Sequence, residues 1–331
     1  MGIVNPKEFA DAAGMEELLR LLESMGVDPG WAKREPSLWP APRKTFVPAH
    51  WSYASGKAAL EAAGRFVSTE HAERRNLILF NPIPGNRYGT ARTIVAAYQM
   101  VLPGETARSH RHTPNALRLV MDTGPKAYTI VDGRKIPMVP GDVLLTPNWR
   151  WHGHDNESDR NAVWIDFLDV PMMHFFEGAM FFDQHSEGIE QTDIVDERSP
   201  MRFSYKDNMA KLDAAKELRP GEKAFELGPP RLDTLGLHVH RIEPGHKLAS
   251  PRTTASNVFA VIDGRGRSEI DGTTFEWQRG DVFVVPAWRP HQYEATERSH
   301  LFRVTDEPLL AHLHWLRTEG QPVPVNTLRG E

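Results

Sequence analysis

Three histidines are placed where they can do chemistry. His110 and His112 stand one residue apart in SHRHTPNALRL, and His152 follows further on in PNWRWHGHDN. Alternate residues of a strand share a face, so His110 and His112 can project into one interior. A lone histidine is more often not a ligand, but a pair at this spacing calls for a third group. His152, at the end of a run that begins after Gly141-Asp142, is the best candidate. Three imidazoles suit a first-row divalent ion such as Fe, Cu, Zn or Ni. The 331 residues include no cysteine, so thiolate ligands and disulfides are excluded and any metal is held by His, Asp or Glu.

Strands must position these ligands. From about Thr90 the texture becomes short runs rich in Val, Ile, Thr, Tyr and Trp, bounded by turn signals: TIVAAYQMVLPGE, ALRLVM, AYTIVDGRKIPM, GDVLLTP, NAVWIDFLDVP. Such spacing predicts a β-sandwich or barrel, and Asp132-Gly133 between two runs predicts a hairpin. The same texture returns after a polar, partly helical stretch at about 176–230. LPGETARSHRH answers EPGHKLASPRT, GDVLLTPNWRWH answers GDVFVVPAWRPH, and LDVP answers TDEP. Gly104 to Gly141 spans 37 residues and Gly245 to Gly280 spans 35, an internal duplication of one β domain.

Ahead of the repeats, the first ~75 residues read as helical. Asn5-Pro6-x-Glu8 reads as an N-cap, a proline at N1 and an acid at N3. Phe9, Met15, Leu18, Leu19, Leu22 and Met25 then recur at helical spacing. Pro36, Pro40, Pro42 and Pro48 mark an extended arm, and short helical patterns are expected around Lys57–Ala63 and Thr69–Arg75. The expected organisation is an N-terminal helical and extended arm (1–85), a metal-binding β domain (86–175), a linker with helical segments (176–230), a second β domain without a metal site (231–315) and a tail (316–331).

A net charge of −5 with no basic run offers no electrostatic case for nucleic acid or an anionic membrane. The start, MGIVNPKEFADAAG, has neither a basic n-region nor an apolar h-region, and no apolar run approaches a membrane span. The expectation is a cytoplasmic enzyme or binding protein.

The spacings Gly104-x5-His110-x-His112 and Gly141-x5-Pro147-x4-His152-x3-Asn156 resemble the two motifs of the cupin superfamily. The carboxylate ligand usual in that pattern is missing: Ala116 or Leu117 stands in its place, and Gly124 matches the later glycine. A three-histidine site in the first of two repeats resembles the gentisate 1,2-dioxygenase family, which includes salicylate and 1-hydroxy-2-naphthoate dioxygenases. The resemblance also rests on EPSLWP, PAHWSYA, AERRNLIL, VDGRKIPMVPGDVLLTPNWRWHGHDN, WIDFLDVP, GDVFVVPAW and LFRVTDEP. It implies a mainly β bicupin of two jelly-roll barrels, Fe(II) as cofactor, a small aromatic acid and O2 as substrates, and a homotetramer.

By the same resemblance, further residues gain expected roles. Arg118 shares strand parity with the ligands and is assigned to the substrate carboxylate, for which a guanidinium fork is suited. Arg74 and Asn76 are expected at the substrate site. His154 is expected as an acid/base or hydrogen-bonding group, with Asp166 orienting it or the substrate. Val95 stands where relatives often carry Trp, and Ala97 where they often carry Gly, so a substituted salicylate is expected over simple gentisate.

In the second repeat Pro251 and Thr253 replace the histidine pair, and His291 alone matches His152. His238, His240, His246 and His300 read as ordinary strand or surface histidines, and this barrel as structural. Competing readings are a non-catalytic bicupin that binds aromatic acids, and an isomerase or decarboxylase on the same fold, which the missing carboxylate ligand disfavours.

Overall fold

A computed structural model describes residues 2–32, 36–68, 71–187 and 194–322. Residues 1–43 form one compact unit and residues 44–331 another. In the first unit Asn5 caps helix Pro6–Ala10, its side chain accepting from the Lys7 amide at 3.0 Å. Helix Met15–Ser24 follows, burying Leu21.

The second unit is two antiparallel β-barrels. The first barrel closes a six-stranded sheet over a five-stranded one. Strands Val143–Thr146, Ala116–Asp122, Ala162–Leu168 and Val95–Val101 are neighbours in the six-stranded sheet. Strands Thr106–His112, His152–Asn156 and Ala127–Val131 are neighbours in the other. The second barrel repeats the plan with seven and four strands. Asp132 and Gly133 both take positive φ, 45° and 76°, and close the Ala127–Val131/Arg134–Pro137 hairpin as the sequence predicts. Asp271-Gly272 does the same in the second barrel.

Strand alternation divides the side chains between two environments. In the six-stranded sheet Ala96, Tyr98, Met100, Leu117, Leu119, Ile165 and Phe167 face outward, into one shared core with Val239, Val258, Ala260, Val284, Phe302 and Val304 of the second barrel. The alternate residues, Val95, Ala97, Gln99, Arg118 and Asp166, face the first barrel's interior. The barrels are therefore joined through the backs of their larger sheets.

The segments flanking the repeats are woven into both barrels. Ala49–Trp51 adds an edge strand beside Val282–Val285. Helix Tyr53–Gly64 covers the expected pattern at Lys57–Ala63. The second expected helix is absent among the described residues: His71–Arg74 forms turns and bends, and Arg75–Ile78 is a strand paired with Val95–Val101. Pairing at the open edge of a sheet supplies backbone partners that a one-turn helix would leave unmet. Thr69 and Glu70 of that pattern lie outside the described residues, as do Glu35 of the arm and residues 323–331 of the tail. From the linker, Phe182–Gln184 pairs with Thr106–His112, Arg202–Phe203 with Val143–Thr146, and Glu222–Glu226 with Gly236–Ile242. Among the described residues no helix is long and apolar enough to cross a membrane.

Candidate metal centre

The strand carrying His110 and His112 lies beside the strand that begins at His152, with His110 directly opposite His152. Gly153 permits this approach. A Cβ there would lie 2.8 Å from the Ala107 carbonyl oxygen and 2.9 Å from Ser109 Oγ. A register shift between Ala107 and His110 re-aims the first strand. Three residues before His152, Trp149 takes φ 61°, turning the chain into the ligand strand. Trp288 repeats that turn at φ 59° in the second barrel.

His110, His112 and His152 each offer a ring nitrogen within 4.8 Å of the others. The ring of His110 is centred 4.4 Å from that of His152, and the ring of His112 4.7 Å from it. All three Nδ1 atoms meet backbone carbonyls: Arg108 at 3.3 Å, Pro114 at 2.8 Å and Arg150 at 2.9 Å. A carbonyl only accepts, so each Nδ1 carries the proton and each Nε2 keeps a lone pair. Burial, followed by the Arg74 and His112 charges, pushes His110 down to about 3. Burial likewise lowers His112 and His152. Three neutral imidazoles of fixed tautomer are the donor set a divalent ion requires. Among the described residues no other group of three His, Asp or Glu side chains converges in this way.

Behind the triad sits a buried polar layer. Arg118, 1% exposed, donates through Nη1 to Thr129 Oγ1 at 3.1 Å and through Nη2 to Thr146 Oγ1 at 3.1 Å. Nη1 also meets His154 Nε2 at 2.9 Å. Its Nε lies 3.4 Å from Asp166 Oδ1 as an ion pair without a hydrogen bond. This follows from register, since Asp166 is opposite Arg118 on one side and Ala97 on the other. Burial raises the Asp166 carboxyl, and the Arg118 charge opposes that rise. Burial and the Arg118 charge hold His154 far below its ordinary value, so its ring is neutral.

The remaining expected site residues are distributed unevenly. Arg74 donates to Gln99 Oε1, and its charge reaches His110, His112, His154 and Asp166. Val95 and Ala97 are buried on the interior face, opposite Leu168 and Asp166. Asn76 is exposed on the edge strand directly opposite Gln99, so it shares that residue's face of the sheet without being buried in the layer.

Gln99, Thr129, Thr146 and Glu73 were not anticipated. Gln99 carried a signal in its parity with Ala97. Thr129 had none, because it reaches the site by pairing across strands with His154. Glu73 approaches His110 Nδ1 at 3.7 Å from a bend. Phe182, on the strand beside the ligands, is centred 5.6 Å from His110.

The cupin domain model matches residues 97–170 and 238–305, one match for each barrel. The chain is 30% identical to gentisate 1,2 dioxygenase 1 of Aquipseudomonas alcaligenes, covering 88% of this chain and 92% of that protein. It is 32% identical to 5-aminosalicylate 1,2-dioxygenase of Comamonas sp, covering 86% and 84%. Among solved structures, salicylate 1,2-dioxygenase from Pseudoaminobacter salicylatoxidans, as its gentisate adduct, superposes with a TM-score of 0.85 at 28% identity, covering 97% of this chain and 96% of that one.

Proposed function

The chain belongs to the gentisate and salicylate 1,2-dioxygenase family of bicupins, and on that footing we propose that it is an Fe(II)-dependent, extradiol-type dioxygenase that opens the ring of a salicylate-type acid. The ring breaks between the carboxyl-bearing and hydroxyl-bearing carbons. Both atoms of one O2 enter the product, a dienoic oxo-diacid. The observation that carries this reading is the triad itself: three neutral histidines with converging ring nitrogens, each Nδ1 engaged by a backbone carbonyl, and no carboxylate in the set.

Fe(II) held by His110, His112 and His152 would supply Lewis acidity toward the substrate's hydroxyl and carboxylate, and electrons for O2. The chain's own groups orient and hold charge. Arg74 and Arg118 form the cationic side of the site, Arg74 as the more reachable fork for the substrate carboxylate and Arg118 from within the wall. His154, neutral and with Nε2 accepting from Arg118, keeps Nδ1–H as its donor and is suited to hydrogen-bond a substrate oxygen rather than to take up a proton. Asp166 holds Arg118 in place through their ion pair. Ala116, small and buried, leaves the position of the usual carboxylate ligand free.

Val95 and Ala97 line the wall where the substrate's substituent would lie, which favours a ring substituted on one side over unsubstituted salicylate, with a substituent other than the 5-hydroxyl of gentisate. We further read the protein as cytoplasmic and homotetrameric. Exposed Phe175, Phe176, Phe181 and Phe182 support self-association.

The test is oxygen uptake by anaerobically iron-loaded protein, offered gentisate, salicylate, 5-substituted salicylates and 1-hydroxy-2-naphthoate. Stoichiometric O2 consumption with ring-opened product is expected for at least one salicylate. Tight binding of these acids without uptake would instead identify a non-catalytic aromatic-acid receptor.

A further inference from the structure

The second barrel lacks the histidine pair, yet it is not filled. It holds a cavity of about 360 Å³ lined by Glu222, His240, Thr253, Phe259, Tyr293 and Arg303, among others. Register makes the two barrels comparable. Asp166 faces Arg118, and in the second barrel Arg303 faces Phe259. Arg303 therefore occupies the place of Asp166, and Phe259 that of Arg118. By the same correspondence His240 takes the place of Gln99, Tyr293 that of His154 and Thr253 that of His112. The interior has been re-equipped with different polar chemistry rather than filled with apolar side chains.

Two of these groups are incompletely satisfied. His240, 6% exposed, lies with Nδ1 2.8 Å from Glu222 Oε1. Glu222 also accepts from Tyr293 Oη at 2.7 Å and Arg219 Nε at 2.6 Å. These partners, the His240 hydrogen bond foremost among them, hold the Glu222 carboxyl down at about 2 against the upward push of burial. An ionised Glu222 only accepts, so His240 Nδ1 carries the proton and Nε2 presents a lone pair. That Nε2 is buried and has no partner, a state that costs free energy until a donor arrives.

Arg303 shows the complementary lack. Its Nη1 donates to Asn257 Oδ1 at 3.2 Å and Glu307 Oε1 at 3.3 Å. Its Nε is buried without a partner, and no hydrogen bond among the described residues engages Nη2. The Nε–Nη2 edge is one that chelates a carboxylate side-on. His238, next to His240 on the same face, is the residue directly opposite Arg303, so the free edge and the free lone pair are diagonal neighbours on adjacent strands.

We propose that the second barrel is a metal-independent binding site for a small aromatic hydroxycarboxylate. Its carboxylate sits on the Nε–Nη2 edge of Arg303, its hydroxyl donates to His240 Nε2, and its ring lies against Phe259. A metal does not fit, since Glu222 and His240 are committed to each other. A phosphate dianion fits poorly beside Glu222 and Glu307. The volume is enough for a monocyclic acid. This site stands independently of what the first barrel catalyses.

The experiment is calorimetric titration of 3- and 4-hydroxybenzoate into metal-loaded protein without oxygen. Neither isomer can chelate a metal through adjacent carboxylate and hydroxyl groups, which disfavours the first barrel, and the variants below assign the binding to one barrel or the other. One bound molecule per chain is expected, with benzoate, which lacks the hydroxyl, about tenfold weaker or worse. Arg303→Met and His240→Phe should each weaken binding by a similar factor, while His110→Ala leaves it unchanged. Thr253→Trp, which blocks the cavity without touching either ion pair, should abolish it in protein that melts normally. No saturable binding by either isomer overturns the proposal. So does binding that survives both Arg303→Met and Thr253→Trp, or that disappears in His110→Ala.

Discussion

Arg118→Met tests whether the buried layer behind the triad is held by charge pairing. The substitution keeps the length of the side chain and removes the guanidinium. In the folded protein Arg118 Nε lies 3.4 Å from Asp166 Oδ1, both fully buried. At an effective dielectric of 20 that separation corresponds to about 5 kcal/mol of attraction. Desolvation of the pair offsets part of it, but removing one partner strands the other charge. Loss of a buried partner therefore costs about 3–5 kcal/mol. Asp166 is already raised by burial, and Arg118 is the first group opposing that rise. Without Arg118 its folded-state pKa climbs further above the unfolded value. Folding then takes up a proton, so the variant loses stability as pH rises and recovers it as pH falls toward the unfolded carboxylate value near 4. Denaturant unfolding at pH 5 and pH 8 should show a larger deficit at pH 8. Arg118→Met with Asp166→Leu should return to within about 2 kcal/mol of the parent, since no charge is left stranded. Equal deficits in the single and double variants, or a deficit independent of pH, would refute this reasoning.

Metal analysis of reconstituted protein should give one tightly held ion per chain, lost in His110→Ala, His112→Ala or His152→Ala; two ions per chain, or retention in any of these variants, contradicts the triad assignment. Gly153→Ala should destabilise the protein by about 1–3 kcal/mol and weaken metal retention, because the new Cβ meets the Ala107 carbonyl at 2.8 Å; unfolding and metal titration of the variant check both. The metal-free protein should lose stability as pH falls from about 6.5. His110, His238 and His291 sit near 3, 2 and 4 when folded, mainly through burial, so the unfolded chain binds the extra protons, up to about 1.4 kcal/mol per pH unit for each. Asp306, raised to about 6 by burial, opposes this between about 6 and 4, and Asp306→Asn should steepen the acid loss in unfolding curves at stepped pH.

The repeated barrels and the histidine triad are legible in the sequence. A period of two places His110 and His112 on one face, and the duplication marks His152 by position. These signals are local or periodic, and an α-carbon trace is not needed to read them. The hairpin at Asp132-Gly133 is legible for the same reason, because positive φ is a demand on the residue itself. The remaining contacts come from strand register and pairing. Arg118 and Asp166 meet because two strands lie in one register, and a slip of one residue would separate them. Arg74 reaches the ligands from a bend leading into an edge strand, where helical periodicity had suggested otherwise. Asn76, two residues on, shares the face of Gln99 through that same strand pairing. The second barrel, with its histidine pair replaced, reads as inert in one dimension. Only cross-strand pairing shows that His240, Glu222, Tyr293 and Arg303 line one cavity, since each is contributed by a different strand and no sequence period relates them.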